Sequence, residues 1–417
     1  MSLITSLTRM WLTRNLHPFT FKNEYDRFLP FSECENLGLY VHIPFCKNIC
    51  NFCPYCKVLY SQKMCEEYID CLIKEIHFVG NRYSGKKTVT SLYFGGGTPA
   101  LAAGRIKEII DAINEHFIIT EGIGLELHPD NVDEKTLKIL KNAGVTKISI
   151  GIQSFQDKYQ KILGRKKVDE KKLKSELKKV PFETVSMDLI FALPGQTLED
   201  LKADADKAFE AGANHIAIYP FIDFTFTKSP VKPMPKKQKR LLLDRITDYF
   251  LSKGFERSSI WTFSNTKDAK YSSMTRDNFL GFGCSATTLL KDQFKINTFD
   301  PVSYCKRINS DEPATSLTIR FTKRQRMIYW LFWTAYSTKV NPVDFERFFG
   351  VPLKKMYGFE IWLCKKAGFI MEENGCYKMT LKGAFYYHYY ENFYTLSYID
   401  KMWGIMRKEA FPDQIKL

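Results

Sequence analysis

The sequence predicts an α/β fold, a partial (β/α)6 TIM-like barrel followed by a mainly α-helical, winged-helix-like domain. Short apolar runs alternate with helically patterned segments six times before residue 253, which indicates a parallel sheet covered by helices. Beyond about residue 316 the alternation gives way to successive helices and a hairpin pattern. The composition, 45% hydrophobic and 26% charged, excludes a disordered chain.

The six predicted strands are short apolar runs, namely Leu39–Ile43, Ser91–Phe94, Gly124–Leu127, Lys147–Ile152, Val185–Phe191 and His215–Tyr219. The helices predicted after them follow apolar residues at helical spacing, at Cys65–Phe78, Ile106–Phe117, Asp133–Ala143, Gln156–Leu163, Leu198–Ala211 and Gln238–Ser252. Six units suit a partial barrel better than a complete eight-fold one. Such barrels carry their chemistry on loops after the carboxyl ends of the strands.

The pattern of the C-terminal region predicts three helices, at Lys323–Tyr336, Pro342–Phe349 and Lys355–Ala367. A hairpin is predicted after them, with strands at Phe369–Glu372 and Cys376–Leu381. The aromatic run Gly383–Tyr394 is interpreted as a helix that packs into a core. We therefore predict four regions: an N-terminal extension (1–36), the partial barrel (37–255), a segment that completes and connects it (256–315), and a C-terminal helical domain (316–417).

Charge and cysteine content restrict the environment and the partners. The net charge of +15 favours an anionic partner, whether nucleic acid, a membrane surface or a polycarboxylate ligand. No apolar run approaches the ~18–20 residues that a membrane span needs. Eleven cysteines cannot all pair with one another, and four of them lie within one short window, which favours metal chemistry in a reducing cytoplasm.

The N-terminal segment Met1–Phe19 contains Arg9 and Arg14 but no acidic residue. A transit peptide has this composition, yet no small-residue cleavage site follows. We favour an amphipathic helix that packs on the domain or lies on a surface.

The cysteine window begins with Cys46, Cys50 and Cys53 in a C-x3-C-x2-C spacing directly after the first predicted strand. A closed zinc site needs four ligands, usually in two separated pairs, and no second pair appears in the sequence. Three thiolates on one loop instead suit a [4Fe–4S] cluster in which one iron lacks a protein ligand. Cys56 is either a fourth ligand or, as we favour, a spare thiol beside the cluster.

An iron with open positions can chelate the amino and carboxylate groups of S-adenosylmethionine. The reduced cluster would then deliver one electron to the sulfonium and release a 5′-deoxyadenosyl radical, which abstracts hydrogen from an unactivated C–H bond.

The segment from Tyr40 to Cys53 (YVHIPFCKNICNFC) resembles the cluster signature of radical S-adenosylmethionine proteins. More narrowly, it resembles the oxygen-independent coproporphyrinogen III oxidase branch with its haem-chaperone and haem-opening relatives, over about residues 37 to 290. The resemblance implies that Cys46, Cys50 and Cys53 hold a [4Fe–4S] cluster and that one or two molecules of S-adenosylmethionine bind beside it.

Further motifs stand at the ends of later strands. The resemblance implies cofactor contacts at Tyr40, Phe52, Gly95, Gly96, Gly97, Thr98, Glu126, Gln153, Arg165, Asp188, Gly281, Gly283 and Ala286. Tyr219, at the end of the sixth strand, is a candidate catalytic residue near the substrate and equally a candidate core residue. His128 is a candidate substrate contact.

Three departures from the family pattern predict a divergent member. Lys167 stands where chaperone-like relatives often carry His, and the residues from Lys270 to Asn278 lack the H-N-x-x-Y-W stretch of the chaperone branch. Tyr55 occupies the position where the decarboxylase usually has a further Cys, and Cys56 follows one place late.

The leading hypothesis is therefore a radical S-adenosylmethionine enzyme that acts on a porphyrinoid, by oxidative decarboxylation of propionates or by radical methylation with haem ring opening. The expected partners are an anionic tetrapyrrole and an external electron donor such as flavodoxin or ferredoxin.

Three alternatives remain. One is a haem-binding delivery protein with His128, His215 or His388 as ligand, and another is a methylase of an unrelated natural product. The third is a nucleic-acid-binding regulator, which we disfavour because the stretch Lys354–Lys366 is basic only at its ends.

Overall fold

The computed structural model describes residues 3–227, 229–265 and 277–417. An N-terminal helix, α1 (Leu3–Thr13), and a strand, β1 (Thr20–Lys22), precede the barrel region. The barrel region contains β2 (Leu37–Ile43), β3 (Phe45–Cys46), β4 (Val58–Leu59), α2 (Gln62–Gly80), β5 (Lys87–Val89), β6 (Leu92–Gly96), α3 (Ala103–His116), β7 (Phe117–Ile119), β8 (Ile123–Leu127), α4 (Glu134–Asn142), β9 (Lys147–Gln153), α5 (Asp157–Ile162), α6 (Glu170–Lys179), β10 (Thr184–Phe191), α7 (Leu198–Glu210), β11 (His215–Pro220) and α8 (Lys236–Ser252).

The segment that follows adds strands and one helix: β12 (Glu256–Arg257), β13 (Thr262–Ser264), β14 (Asn278–Phe282), β15 (Thr287–Leu290), β16 (Gln293–Asn297), α9 (Pro301–Asn309) and β17 (Thr315–Arg320). The C-terminal region contains α10 (Lys323–Tyr336), β18 (Lys339–Val340), α11 (Pro342–Phe349), α12 (Leu353–Lys366), β19 (Ile370–Glu373), β20 (Cys376–Met379), α13 (Leu381–Tyr394), α14 (Asp400–Met406) and β21 (Gln414–Lys416).

Six parallel strands form the centre of the sheet in the order β2-β6-β8-β9-β10-β11. They lie where the sequence predicts six strands, so the predicted α/β alternation is confirmed. Both faces of these strands are covered, and residues such as Val41, Leu125 and Ile150 have no exposed surface. This burial explains why the strands read as continuous apolar runs rather than alternating ones.

Local capping fixes where several of the covering helices begin. Thr197 and Asp200 form a reciprocal capping box at the start of α7, and the Asp133 side chain accepts a hydrogen bond from the Thr136 N–H at the start of α4. Helix α6 forms from the lysine-rich stretch that the sequence indicates is a solvated helix face. Only its apolar residues Leu173 and Leu177 are buried.

The sheet extends well beyond the six predicted strands. On one side β14 pairs in parallel with β2, and β15, β16 and β17 continue in antiparallel fashion. The terminal strands β1 and β21 close this side, and Phe21 lies opposite Ile415. On the other side β13 and β12 pair in antiparallel fashion beyond β11.

The C-terminal region contains the predicted helices and a three-stranded sheet, β18-β20-β19, built on the predicted hairpin. Asn374 and Gly375 have φ values of 50° and 75° in its two-residue turn, a conformation that Asn-Gly sequences favour. Helix α13 then packs back onto the barrel, where the His388 ring lies 4.4 Å from the Trp261 ring.

The predicted N-terminal helix is present as α1. Trp11 of α1 and Arg14, which directly follows the helix, bind the carboxylate of Glu360 on α12, at 3.0 and 2.7 Å. Within the described part of the chain, none of the helices combines the length and the apolar character needed to cross a bilayer.

Candidate functional site

A cavity of about 1260 Å³ lies between the carboxyl ends of the parallel strands and the C-terminal helices. Its two sides are called the barrel wall, formed by residues 46–221, and the C-terminal wall, formed by α10 and α13. Thirteen of the candidate site residues from the sequence line this cavity: Cys46, Cys50, Phe52, Cys53, Gly96, Gly97, Thr98, Glu126, His128, Gln153, Arg165, Asp188 and Tyr219.

The three cysteines of the C-x3-C-x2-C spacing lie on one loop, which the short parallel pair β3–β4 closes at its base. The Tyr60 N–H donates to the Cys46 carbonyl oxygen at 2.9 Å, and the Lys57 ammonium donates to the Cys53 carbonyl oxygen at 2.5 Å. These bonds hold the loop against the barrel and leave the thiols at the cavity.

Burial, together with the neighbouring Cys53 and Cys50 thiols, raises the pKa of Cys46 to about 11. Burial also raises the pKa of Cys50. Crowded thiols that resist ionisation are stabilised as thiolates by a bound metal. Three such donors on a single loop fit a [4Fe–4S] cluster with three protein ligands.

Cys56 has different surroundings from these three cysteines. Its buried thiol donates to the Phe299 carbonyl oxygen at 3.1 Å and lies beside His42 and Cys284, with the ligand atoms of all three within 4.8 Å of one another. The hydrogen bond with the Cys284 thiol is the main reason why the pKa of Cys56 is lowered. Its thiol faces the protein core, which favours the spare-thiol alternative over a fourth ligand.

The glycine-rich segment after β6 packs directly on the cysteine loop. The Gly97 N–H donates to the Ile43 carbonyl oxygen at 2.9 Å, and the Thr98 N–H donates to the Phe45 carbonyl oxygen at 2.8 Å. A Cβ atom at position 97 would lie 2.6 Å from that Phe45 oxygen. Only glycine permits this approach, and Thr98 Oγ1 then lies 3.9 Å from Cys46 Sγ.

Tyr40 and Gly95 lie behind this surface rather than on it. The Tyr40 hydroxyl is 3.0 Å from His42 Nδ1, and a Cβ atom at Gly95 would lie 3.0 Å from the Tyr40 ring. Both residues therefore position the cysteine and glycine segments, while a direct cofactor contact stays a prediction for them.

Two carboxyl groups, Glu126 on β8 and Asp188 on β10, flank Ser149 on the barrel wall. Glu126 accepts hydrogen bonds from the Tyr93 hydroxyl at 3.1 Å and the Gly96 N–H at 3.2 Å. Asp188 accepts from the Ser149 hydroxyl, at 3.2 and 3.1 Å from its two oxygens. Burial raises the pKa of Glu126, and burial together with the Glu126 charge raises the pKa of Asp188 to about 7.

The end of β9 supplies a cation to the same wall. The strand bulges opposite Asp188, and Gln153 adopts a φ of 71°, in the left-handed region. The Arg165 guanidinium donates to the Gly151 carbonyl oxygen at 2.6 Å, and its charge lowers the pKa of Cys50 against the effect of burial. Arg165 can therefore offer a positive charge to a ligand carboxylate.

His128 lies beside this arginine. The Asp130 N–H donates to His128 Nδ1 at 3.2 Å, and burial together with Arg165 lowers the pKa of His128 to about 4. The ring is therefore neutral at pH 7. The other two histidines considered as haem ligands are buried elsewhere, His215 against Ser186 at 2.8 Å and His388 against Trp261.

Gly281, Gly283 and Ala286 do not line the cavity. A Cβ atom at Gly281 would lie 2.2 Å from the Thr287 carbonyl oxygen, and the Gly283 N–H donates to Glu75 at 2.6 Å. Protein packing accounts for these glycines, so a cofactor contact at this segment stays a prediction. The neighbouring stretch 266–276, which contains most of the region compared with H-N-x-x-Y-W, lies outside the described residues.

The cavity lining is not dominated by basic residues. The described residues that line the cavity include four cations (Arg9, Lys47, Lys57 and Arg165) and five acids (Glu126, Asp130, Asp188, Glu360 and Glu391). The +15 charge of the chain is therefore not concentrated here, because most lysines lie on the outer faces of helices such as α6.

Sequence reasoning missed the C-terminal wall. The Phe332 ring of α10 stacks on the Tyr387 ring of α13 at 5.2 Å and lies 5.1 Å from the Tyr394 ring. Glu391 lies in this wall with them. The signal for it was the single acid within GAFYYHYYENFY, an acidic residue among side chains of the kind that become buried.

Comparisons with known proteins agree with this arrangement. Residues 40–208 match the model of the radical SAM superfamily. The chain is 28% identical to the heme chaperone HemW of Lactococcus lactis, over 77% of the chain and 87% of that protein. It is 26% identical to the oxygen-independent coproporphyrinogen III oxidase of Pseudomonas aeruginosa, over 67% of each.

The fold also matches a solved structure, that of the coproporphyrinogen III oxidase HemN from Escherichia coli. The TM-score is 0.76 at 20% sequence identity, and the match covers 91% of this chain and 96% of that one. This match confirms the fold class. The chain contains a radical SAM domain, the kind of domain that uses a [4Fe–4S] cluster and S-adenosylmethionine.

Proposed function

Because residues 40–208 form a radical SAM domain, we propose that this chain is an enzyme that reductively cleaves S-adenosylmethionine and abstracts hydrogen from a porphyrinoid. One observation carries the proposal: the three thiols of one loop reach a cavity of about 1260 Å³ whose far wall is aromatic. The cluster site and a space for a large substrate with aromatic rings are therefore continuous with each other.

Cys46, Cys50 and Cys53 are the residues that would hold the cluster. When bound, the cluster and S-adenosylmethionine supply a one-electron reduction that yields a hydrogen-abstracting carbon radical. Cys56, whose thiol faces Phe299 and Cys284, would take no part in binding the cluster.

The other residues of the barrel wall would bind and orient the polar groups of S-adenosylmethionine. Arg165 is suited to a carboxylate, because a guanidinium forms charge-assisted hydrogen bonds with one. Glu126 and Asp188 are suited to an ammonium group and to ribose hydroxyls. With a pKa of about 7, Asp188 can accept such a hydrogen bond or donate one near neutral pH.

Three features support a porphyrinoid as substrate. A relative named as an oxygen-independent coproporphyrinogen III oxidase is 26% identical over 67% of the chain. The aromatic cluster around Phe332 offers ring surfaces for stacking. Arg9, Lys47 and Lys57 are cations of the cavity lining that can pair with propionates, and Tyr219, the candidate catalytic residue, lines the same cavity.

The similarity to the heme chaperone HemW favours haem binding and delivery as a second candidate function. Of the three histidines considered as haem ligands, His128 lines the cavity, whereas His215 and His388 are buried away from it. A chaperone would transfer haem stoichiometrically and form no 5′-deoxyadenosine.

Two further parts of the proposal concern the surroundings of the enzyme. All eleven cysteines are free thiols, which suits a reducing compartment such as the cytoplasm. A low-potential protein such as flavodoxin or ferredoxin would supply the electron.

Anaerobic reconstitution with iron and sulfide, followed by dithionite and S-adenosylmethionine, tests the function. We expect 5′-deoxyadenosine, in larger amounts when coproporphyrinogen is present. S-adenosylhomocysteine as an additional product would indicate methyl transfer instead of decarboxylation. Haem transfer without formation of 5′-deoxyadenosine would contradict the proposed enzymatic function and support haem delivery instead.

A further inference from the structure

Glu391 is a half-buried acid on the C-terminal wall, far along the chain from the radical SAM domain. It lies one helical turn after His388, whose ring packs edge-on against the Trp261 ring at 4.4 Å. The Trp261 indole lies beside the Glu391 carboxyl and lowers its pKa against the effect of burial. The second carboxyl oxygen, Oε2, is shielded from solvent and has no hydrogen-bond partner among the described residues.

The surroundings of this carboxyl group are unusual for an acid. Burial raises the pKa of Glu391 to about 8, opposed only by the neighbouring Trp261 indole, and no cation contributes to the shift. A buried polar atom without a partner is unfavourable, and acids of this kind are almost always paired. By contrast, two carboxyl groups of the barrel wall receive hydrogen bonds from the protein: Glu126 from Tyr93 and Gly96, and Asp188 from Ser149.

The cavity around Glu391 indicates what kind of donor is missing. The side chains of Phe332, Tyr387, Tyr390 and Tyr394 line the same wall, and their rings lie within 6.4 Å of the Phe332 ring. A ligand that stacks on such rings and also donates a hydrogen bond to the acid needs a donor on an aromatic frame, and a pyrrole N–H is a donor of this kind. The terminal torsion of a Glu side chain is broad, so Oε2 can turn toward a ligand at the wall.

A tetrapyrrole offers such a donor only in its metal-free form. Its pyrrole rings carry N–H groups at the centre of the macrocycle, and metal insertion replaces those protons by metal–nitrogen bonds. A porphyrinogen carries four such N–H groups, whereas haem carries none.

We propose that Glu391 anchors the pyrrole N–H groups of a metal-free tetrapyrrole and makes the cavity select it over a metallated one. This inference rests on the proposed function, since it assumes a porphyrinoid in the cavity. In this proposal the C-terminal wall recognises the substrate, whereas the barrel wall holds the groups that initiate the radical reaction. It also separates the two candidate functions, because a haem chaperone would need the opposite preference.

Two matched ligands test this proposal: coproporphyrin III and its palladium(II) complex. They share the ring and all four carboxylates, and they differ in the inner N–H groups. Square-planar palladium(II) takes no axial ligand, so the Glu391 carboxylate cannot bind the metal instead. Both are titrated into the same preparation of reconstituted full-length protein, and tryptophan fluorescence quenching reports the two dissociation constants.

We expect the wild-type protein to bind the metal-free ligand about tenfold more tightly, the effect of one good hydrogen bond in a buried site. Glu391→Leu should bring the ratio of the two dissociation constants close to one by weakening the metal-free ligand alone. Glu391→Gln, which keeps a carbonyl acceptor, should fall between the two. Misfolded protein would lower the binding stoichiometry for both ligands and leave this ratio unchanged.

Equal weakening of both ligands by Glu391→Leu, or a wild-type ratio near one, would overturn the role of Glu391 and leave the proposed function standing. If the wild-type protein bound neither ligand, both the porphyrinoid substrate and the role of Glu391 would be contradicted. Formation of 5′-deoxyadenosine in the same preparation shows separately whether radical initiation is intact.

Discussion

Both walls of the cavity contain carboxyl groups in apolar surroundings, but the protein provides hydrogen bonds to these groups to different extents. On the barrel wall, Glu126 and Asp188 receive hydrogen bonds from Tyr93, Gly96 and Ser149, which lie on the same or neighbouring strands. On the C-terminal wall, Glu391 lies beside the Trp261 indole, and its Oε2 has no hydrogen-bond partner among the described residues.

This difference indicates that the two walls have different functions. Strand pairing and close backbone contacts fix the barrel wall before any ligand arrives, which suits a site that must orient a reaction. The C-terminal wall consists of side chains from two helices, with an unpaired acceptor that a ligand can satisfy. Four predictions test this division, from the largest effect to the smallest.

Replacing one cysteine of the loop should have the largest effect, because the barrel wall then lacks a cluster ligand. We expect Cys46→Ala to lose the bound iron after reconstitution and to form no 5′-deoxyadenosine. Cys56→Ala is the matched control and should keep both, since its thiol faces Phe299. Iron analysis and product chromatography measure the outcome, and equal losses in the two variants would make Cys56 a ligand.

A methyl group at Gly97 should disturb the rigid contact between the glycine segment and the cysteine loop. Its Cβ atom would lie 2.6 Å from the Phe45 carbonyl oxygen, so we expect Gly97→Ala to cost about 1–3 kcal/mol in the free energy of unfolding. It should also lower S-adenosylmethionine cleavage.

Gly104→Ala is the control for that substitution. Gly104 lies in α3 with no atom within 4 Å of its added Cβ, so the change should be neutral or stabilising by up to about 1 kcal/mol. Urea unfolding compares the two variants. Equal stability of both would mean that the loop contact is loose.

The buried Asp188 should make stability depend on pH. Its folded-state pKa of about 7 lies above its ordinary value of 3.8, so ionisation in the folded state is unfavourable. This cost is absent below about pH 4, grows as the pH rises and is complete above pH 7. We expect Asp188→Asn to gain on the order of 2 kcal/mol relative to wild type between pH 4 and pH 8.

Urea unfolding at the two pH values measures that gain. Ser149→Ala should enlarge the pH dependence of the wild-type aspartate, because it removes the hydroxyl that stabilises the ionised form. A stability difference between Asp188→Asn and wild type that does not change with pH would contradict the burial of this group.

The smallest effect concerns the C-terminal wall. Trp261→Phe removes the indole N–H beside the Glu391 carboxyl, and a double-mutant cycle with Glu391→Leu should give a coupling of about 1 kcal/mol. The cycle removes the cost of the lost ring volume, which is common to both backgrounds. Additive effects in thermal unfolding would mean that Trp261 and Glu391 do not interact.

The sequence predicted much of the barrel because its signals are local. Six apolar runs separated by helical segments give the parallel strands, and glycines such as Gly97 show where backbones approach closely. The extension of the sheet could not be predicted in this way. Strands β1 and β21 are three residues long and pair with each other across nearly the whole chain, as Phe21 opposite Ile415 shows.

The residues of the candidate site show the same difference between local and long-range contacts. Cys46, Glu126 and Asp188 follow predicted strands or stand within them, so their convergence on one wall follows from the topology. Glu391 and Phe332 come from two separate helices, and their meeting depends on how α13 packs back onto the barrel. The aromatic run was interpreted as core because periodicity does not distinguish a core from a cavity wall.

Isotope transfer tests the central claim most directly. Reconstituted protein is incubated without oxygen with dithionite, S-adenosylmethionine and coproporphyrinogen III deuterated on the propionate carbons next to the rings. The proposed function predicts deuterium in the 5′-deoxyadenosine that forms, and none of this product with Cys46→Ala. Deoxyadenosine without deuterium, or no deoxyadenosine from the wild-type protein, would contradict hydrogen abstraction from these carbons.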